Sequence, residues 1–180
     1  INLNEECNKC DFNSDCIYTN IFETKPPKND NPPFPGLNNI PHPFILRPGS
    51  GLKKELLPND IFSLELHIFG EYCNWAHYFL KALQNAGEIG AGKGNKKFCL
   101  TKIVDGNSKK DIFENGQWIS EPVIQKISIL NGETPDSCQI QFVTPVRFVK
   151  QGRVVKELTP NILFKEAGRR FMTLAHYYGE

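Results

Sequence analysis

The stretch Asp60-Ile-Phe-Ser-Leu-Glu-Leu-His-Ile-Phe69 decides the fold class. Its apolar residues fall on alternate positions, Phe62, Leu64, Leu66 and Ile68 turned one way and Ser63, Glu65 and His67 the other. That is the period of a strand with one buried face. Directly after it the period changes. Tyr72, Trp75, Ala76, Phe79, Leu80, Leu83 and Ala86 recur at helical spacing, which predicts an amphipathic helix over residues 71–86 with Gly87 as its C′ residue.

Toward the C-terminus, Lys97-Phe-Cys-Leu-Thr-Lys-Ile-Val104 reads as a second strand, and the hairpin signals Asn115-Gly116 and Asn131-Gly132 bracket Gln117 to Leu130. Cys138 to Val149 reads as a further β segment, interrupted at Pro145. Thr159 and Pro160 form an N-cap and N1 pair, and Leu163, Phe164, Ala167, Phe171, Leu174, Ala175 and Tyr178 trace one apolar helix face. The order β, α, β, β-rich insertion, β, α predicts an α+β fold, a ferredoxin-like split βαβ antiparallel sheet with two helices on one face. It lacks the last strand of that unit. The missing strand leaves an open sheet edge, which predicts pairing with another chain as a homodimer.

Toward the N-terminus, eight of the 13 prolines lie within residues 26–48, mixed with Asn and Gly. This is connector composition, so residues 1–40 read as a Cys- and Pro-rich extension and residues 41–180 as the domain.

A chain of 180 residues with 39% hydrophobic and 23% charged residues is globular, which excludes a disordered, collagenous or coiled-coil protein. No apolar run reaches the ~18 residues of a membrane span, so no membrane partner is expected. The first residues carry neither the basic nor the apolar region of a signal peptide and do not begin with Met. The sequence therefore reads as a cytoplasmic piece of a longer protein. Charge is balanced overall at +1 but unevenly placed. Residues 1–30 carry six acids against three lysines, whereas residues 145–170 carry seven basic residues against Glu157 and Glu166, a candidate basic face.

The glycine cluster Gly87-Glu-Ile-Gly-Ala-Gly92-Lys93-Gly94 approaches the phosphate-loop pattern, but Gly94 replaces the hydroxyl residue that holds Mg²⁺. Its context is also reversed, helix to strand rather than strand to helix. What remains is a loop whose backbone N–H groups, with Lys93, Lys96 and Lys97 alongside, suit a close approach to an RNA phosphate. The plainer reading is a solvated turn. Cys7, Cys10 and Cys16 have the C-x2-C spacing plus one further thiol, candidate ligands for a structural zinc or iron–sulfur cluster whose fourth ligand is unassigned. Their alternative is free thiols. His42 and His176 are candidates for acid–base chemistry, His67 and His77 for satisfied or solvent-facing side chains. No Ser-His-Asp set, paired carboxylates or H-E-x-x-H motif supports any of them.

Three stretches taken in order resemble one family. Pro43-Phe-Ile-Leu-Arg-Pro48 leads into Ile61 to Gly70; Phe79-Leu-Lys-Ala-Leu leads to Gly90-Ala-Gly-Lys-Gly-Asn-Lys-Lys-Phe-Cys-Leu100; Phe142-Val-Thr-Pro-Val-Arg147 precedes Gln151-Gly-Arg153 and a helix with Arg169-Arg170. Together they resemble the C-terminal part of the CRISPR-associated repeat-RNA endoribonucleases, the Cas-six type of the RAMP superfamily. The Cys16-Ile-Tyr-Thr-Asn-Ile-Phe-Glu23 stretch is similar to one branch of it.

The resemblance implies ferredoxin-like modules that bind CRISPR repeat RNA, alone or with other Cas subunits. It also implies cleavage by attack of a ribose 2′-hydroxyl on the adjacent phosphate, with no cofactor for catalysis. The catalytic residues stay unassigned, because in many members the general base lies in an N-terminal module that this sequence lacks, so the piece is expected to bind RNA without cutting it. The RNA-binding candidates are Gly90, Gly92, Lys93, Gly94, Lys96 and Lys97 in the loop and Arg147, Lys150 and Arg153 beyond it. Arg169 and Arg170 are weaker candidates, since neighbouring helix positions point about 100° apart and one is free to pair with Glu166. Two other readings stay open: a non-catalytic scaffold subunit of a CRISPR ribonucleoprotein, and a metal-organised interaction module.

Overall fold

A computed structural model describes residues 10, 16–26, 31–35, 37, 40–51, 53, 55–126, 136–142, 146–150 and 153–179. Helix α1 spans Ile17–Phe22, strands β1 and β2 span Phe44–Pro48 and Leu64–Ile68, and a 3₁₀ turn, Gly70–Trp75, leads into α2, Ala76–Ile89. Strands β3 (Lys102–Val104), β4 (Asp111–Glu114) and β5 (Gln117–Trp118) follow, then β6 (Val149–Lys150), β7 (Arg153–Val154) and helix α3 (Pro160–Tyr178). The fold is α+β, with helices and antiparallel sheets, compatible with the ferredoxin-like type. Its strands are shared among three small antiparallel sheets, β1-β2, β3-β4-β5 and β6-β7.

The β1–β2 register explains why the alternation around Leu64 is so clean. Phe44 faces Ile68, Leu46 faces Leu66 and Pro48 faces Leu64, while Arg47 faces Glu65 and Ile45 faces His67. One side of the ribbon is therefore apolar, and the other carries the ion pair of Arg47 with Glu65 at 2.6 Å and His67 3.7 Å from the same carboxylate oxygen. The guanidinium beside Glu65 holds its carboxyl below the usual range. The apolar side is sealed by rings. Phe44 meets Phe22 of α1 at 5.5 Å and Phe79 of α2 at 5.2 Å, both edge-on, and Ile21, Phe79 and Leu80 are buried around them. The outer end of the ribbon stays open, with Leu46 and Leu64 exposed.

Several boundaries differ from those the sequence predicts. The strand expected over 60–69 is shorter, and the helix expected from residue 71 begins as a 3₁₀ turn. Gly87 is not a C′ residue. It lies inside α2, buried, and Gly90 with φ +102° ends the helix. The physical reason is proximity: the N–H of Phe98 donates to the Gly87 carbonyl at 3.2 Å, and a Cβ on Gly87 would collide with the Phe98 carbonyl oxygen. The returning chain needs a bare backbone at that point. Because Phe98 is spent on this contact and on Phe62, 5.8 Å away, the strand expected over 97–104 starts only at Lys102.

In the second sheet, Asn115 and Gly116 have φ +50° and +82°, the left-handed pair that a two-residue hairpin favours. Ile112 and Phe113 are both buried, so β4 is covered on its two faces, and Phe113 meets Trp118 at 6.1 Å. The β segment expected after Trp118 does not continue, since residues 119–126 are irregular; Asn131-Gly132 lies outside the described residues. The strand expected over 138–149 is irregular over 138–142 and 146–148, and pairing begins at Val149.

Helix α3 starts as expected, the Thr159 hydroxyl accepting from the Ile162 N–H at 3.4 Å. Its orientation is not the expected one. Thr173 is buried, whereas Phe164 and Phe171 of the apolar stripe are more than half exposed, as is Met172 beside them. The helix is held instead at its C-terminal end, where Tyr178 stacks edge-on against Tyr72 at 5.6 Å and donates from its hydroxyl to the Pro41 carbonyl at 2.5 Å. No described helix is long and apolar enough to cross a membrane.

Candidate nucleic-acid interface

The glycine cluster folds into a closed knuckle rather than an open cradle. Past the end of α2, the N–H of Ala91 donates to the Lys96 carbonyl at 2.9 Å and the N–H of Lys96 returns the bond at 3.0 Å. Between them the Asn95 N–H donates to the Gly92 carbonyl at 3.3 Å. This tight reversal requires left-handed backbone at Gly92, Gly94 and Asn95, and a Cβ on Gly90 would run into the Asn95 carbonyl. Three of the loop's N–H groups are therefore committed internally. What the loop presents outward is therefore mainly side chains.

Those side chains are open. Lys93, Lys96 and Lys97 are all exposed. Lysine and arginine ion pairs join Arg47 to Glu65, Lys53 to Asp60 and Lys102 to Asp111, and among the described residues the three loop lysines have none. Three cations are thus held on one fixed turn with nothing to neutralise them, an arrangement suited to a polyanion.

The second basic segment is built differently. In β6–β7, Lys150 stands opposite Arg153 and Val149 opposite Val154, so pairing brings two candidate residues together across 151 and 152. Arg147 and Arg153 are exposed. Among the described residues no hydrogen bond, ion pair or ring contact joins this ribbon to the 90–97 knuckle, and the two remain separate basic features.

Of the thiol candidates, Cys7 lies outside the described residues. Cys10 is partly exposed, and Cys16 precedes α1, where the Thr19 N–H and other amides of the first turn hold its thiol below the ordinary range. No three His, Cys, Asp or Glu side chains converge among the described residues. Of the remaining thiols, Cys73 donates to the Ile68 carbonyl at 3.3 Å, and burial pushes its pKa up, while Cys99 and Cys138 are exposed.

A convergence that sequence reasoning missed lies along α3. Residues Leu37, Ile40, Pro41 and His42 run beside Glu166, Arg169, Arg170 and Thr173, leaving a groove of about 420 Å³. His42 stacks on Phe44 at 5.8 Å and lies 3.4 Å from the Thr24 hydroxyl, while His67 and His77 sit exposed on the surface. The Arg169-Arg170 doublet and His42 were each singled out in the sequence, but nothing there brought them together. Their meeting depends on a contact across more than 120 residues.

The family model AF_1859_N, described as an N-terminal domain, matches residues 1–126. The chain belongs to that family. The match takes in α1 through β5 and the lysine knuckle, while β6, β7 and α3 follow it. The description names an N-terminal domain, whereas the motif resemblance is to a C-terminal part, and the match does not bear on that resemblance. No curated protein and no solved structure matches the chain.

Proposed function

We propose that the chain is an RNA-binding domain of a CRISPR-associated RNA-processing protein, and that it grips the repeat segment for metal-independent cleavage completed by other parts of the protein. The observation that supports this most directly is the 90–97 knuckle, with Lys93, Lys96 and Lys97 exposed and without carboxylate partners. The Arg147, Lys150 and Arg153 segment supplies a second contact, and the thiols of Cys7, Cys10 and Cys16 supply a structural zinc or iron–sulfur site at the N-terminal end. The ordered motifs supply the class of RNA.

The test is a salt-titrated gel shift with the repeat RNA and a random RNA of equal length. Phosphate contacts made by the three lysines contribute about 0.7 each to the slope of log affinity against log salt for single strands. Replacing Lys93, Lys96 and Lys97 together by Ala should flatten the slope by roughly two units without unfolding the chain. Equal binding of repeat and random RNA overturns the CRISPR assignment, and an unchanged slope reduces the knuckle to a turn.

A further inference from the structure

The groove beside α3 belongs to neither basic segment. Glu166, Arg169, Arg170 and Thr173 all line it. Consecutive helix positions differ by about 100°, so Arg169 and Arg170 stand on its two shoulders with Glu166 and Thr173 between them. Arg169 is steadied by the Phe34 ring, 5.5 Å from its guanidinium carbon. Arg170 is partly stripped of water, which weakens its hold on its proton. Neither arginine forms an ion pair among the described residues, Glu166 included. Two guanidinium groups beside one groove, both exposed and neither in an ion pair among the described residues, leave their donor forks open to an anion. Thr173 is not available as a ligand, because its hydroxyl donates to the Arg169 carbonyl at 2.8 Å inside the helix.

We propose that this groove holds one nucleotide of RNA, with Arg169 and Arg170 on the phosphate and the Glu166 carboxylate accepting the ribose 2′-hydroxyl. The planar fork of arginine matches two phosphate oxygens at once. A carboxylate repels a bare phosphate, so its place in a basic groove has meaning only for a ligand that carries a donor beside its anion. The 2′-hydroxyl is that donor, and it separates RNA from DNA. The volume is within the range of small-ligand clefts, and His42 closes the wall opposite α3. The inference rests on the RNA reading above and adds the residues that distinguish RNA from DNA.

The experiment measures binding of a short single-stranded RNA, the DNA of the same sequence and inorganic phosphate to the wild-type chain, to Arg169→Gln/Arg170→Gln, to Arg169→Lys/Arg170→Lys as a charge-retaining control, and to Glu166→Gln. The Gln pair should lose RNA affinity by about tenfold or more and flatten the salt slope by about one unit, with the Lys pair keeping the slope. Glu166→Gln should bring RNA and DNA affinities together. Wild-type RNA affinity in the Gln pair, or an unchanged RNA preference in Glu166→Gln, overturns the groove assignment; loss of binding on replacing the knuckle lysines would then leave the RNA reading standing. Uptake of inorganic phosphate without any RNA binding keeps the arginine clamp and removes both the 2′-hydroxyl contact and the RNA reading. Binding of neither removes both.

Discussion

The hydroxyl of Tyr178, near the end of the last helix, donates to the carbonyl of Pro41, 137 residues earlier. Pro41 is buried, so this bond satisfies a carbonyl with limited access to water, and removing it should cost about 1–3 kcal/mol. Burial pushes the Tyr178 phenol well above its ordinary range, and the neighbouring Tyr72 adds to the shift. An unfolded phenol ionises near pH 10. Between that point and the higher folded value the unfolded chain binds fewer protons than the folded one, so stability is full below about pH 10 and falls as pH rises further. Tyr178→Phe should lower the melting temperature at pH 7 and weaken this alkaline loss, which calorimetry across pH 7 to 11 would register. Superimposable alkaline profiles would show that the bond holds nothing.

Gly87→Ala reverses the usual helix rule. In an open helix the change stabilises by up to about 1 kcal/mol. Here the added carbon meets the Phe98 carbonyl, and backbone must move, an overpacking cost of about 1–3 kcal/mol. A melting temperature below that of the wild type is expected. A rise would mean that the chain passes farther from α2 than described.

Ile21→Ala should destabilise the chain by about 2–5 kcal/mol, because Ile21 retains 2% of its accessible surface although it lies among the first 40 residues. Ile21→Val should cost only about 0.5–1.5 kcal/mol. A denaturant titration in which Ile21→Ala equals the wild type would detach α1 from the packing around Phe44.

The cysteine proposal predicts near-stoichiometric zinc or iron in protein purified without oxygen, lost when Cys7, Cys10 and Cys16 are changed to Ser. The lowered thiol of Cys16 favours the thiolate that a metal needs. Less than about one metal per three chains, with all three thiols alkylated freely, would count against the site.

Local pattern carried the sequence reading a long way. The alternation through Leu64, Leu66 and Ile68, the Asn115-Gly116 turn and the Thr159-Pro160 start all reappear, because each is set by residues within a few positions of one another. What was not legible depends on distant partners. Nothing near Gly87 announces that Phe98 passes over it, and so the glycine reads as a helix end. The tract with most of the prolines hides β1, which exists because Leu64–Ile68 pairs with it. For α3 the apolar stripe was found, but its orientation was not: Tyr178, the last residue of the stripe, and Arg169 fix the helix, and Phe164 and Phe171 turn outward. The knuckle lysines were found by composition, whereas the groove of His42, Arg169 and Arg170 is a product of tertiary contact alone.

The mutual bonds between Ala91 and Lys96 have a kinetic side. A flexible lysine loop must freeze its backbone as it meets an anion, which adds to the cost of complex formation. Here folding has already fixed that backbone, so on the proposed RNA reading the knuckle would meet an incoming strand with its shape set. Residence time would then depend on how many lysine side chains stay engaged, and loosening the knuckle would shorten it without altering the charge on the loop.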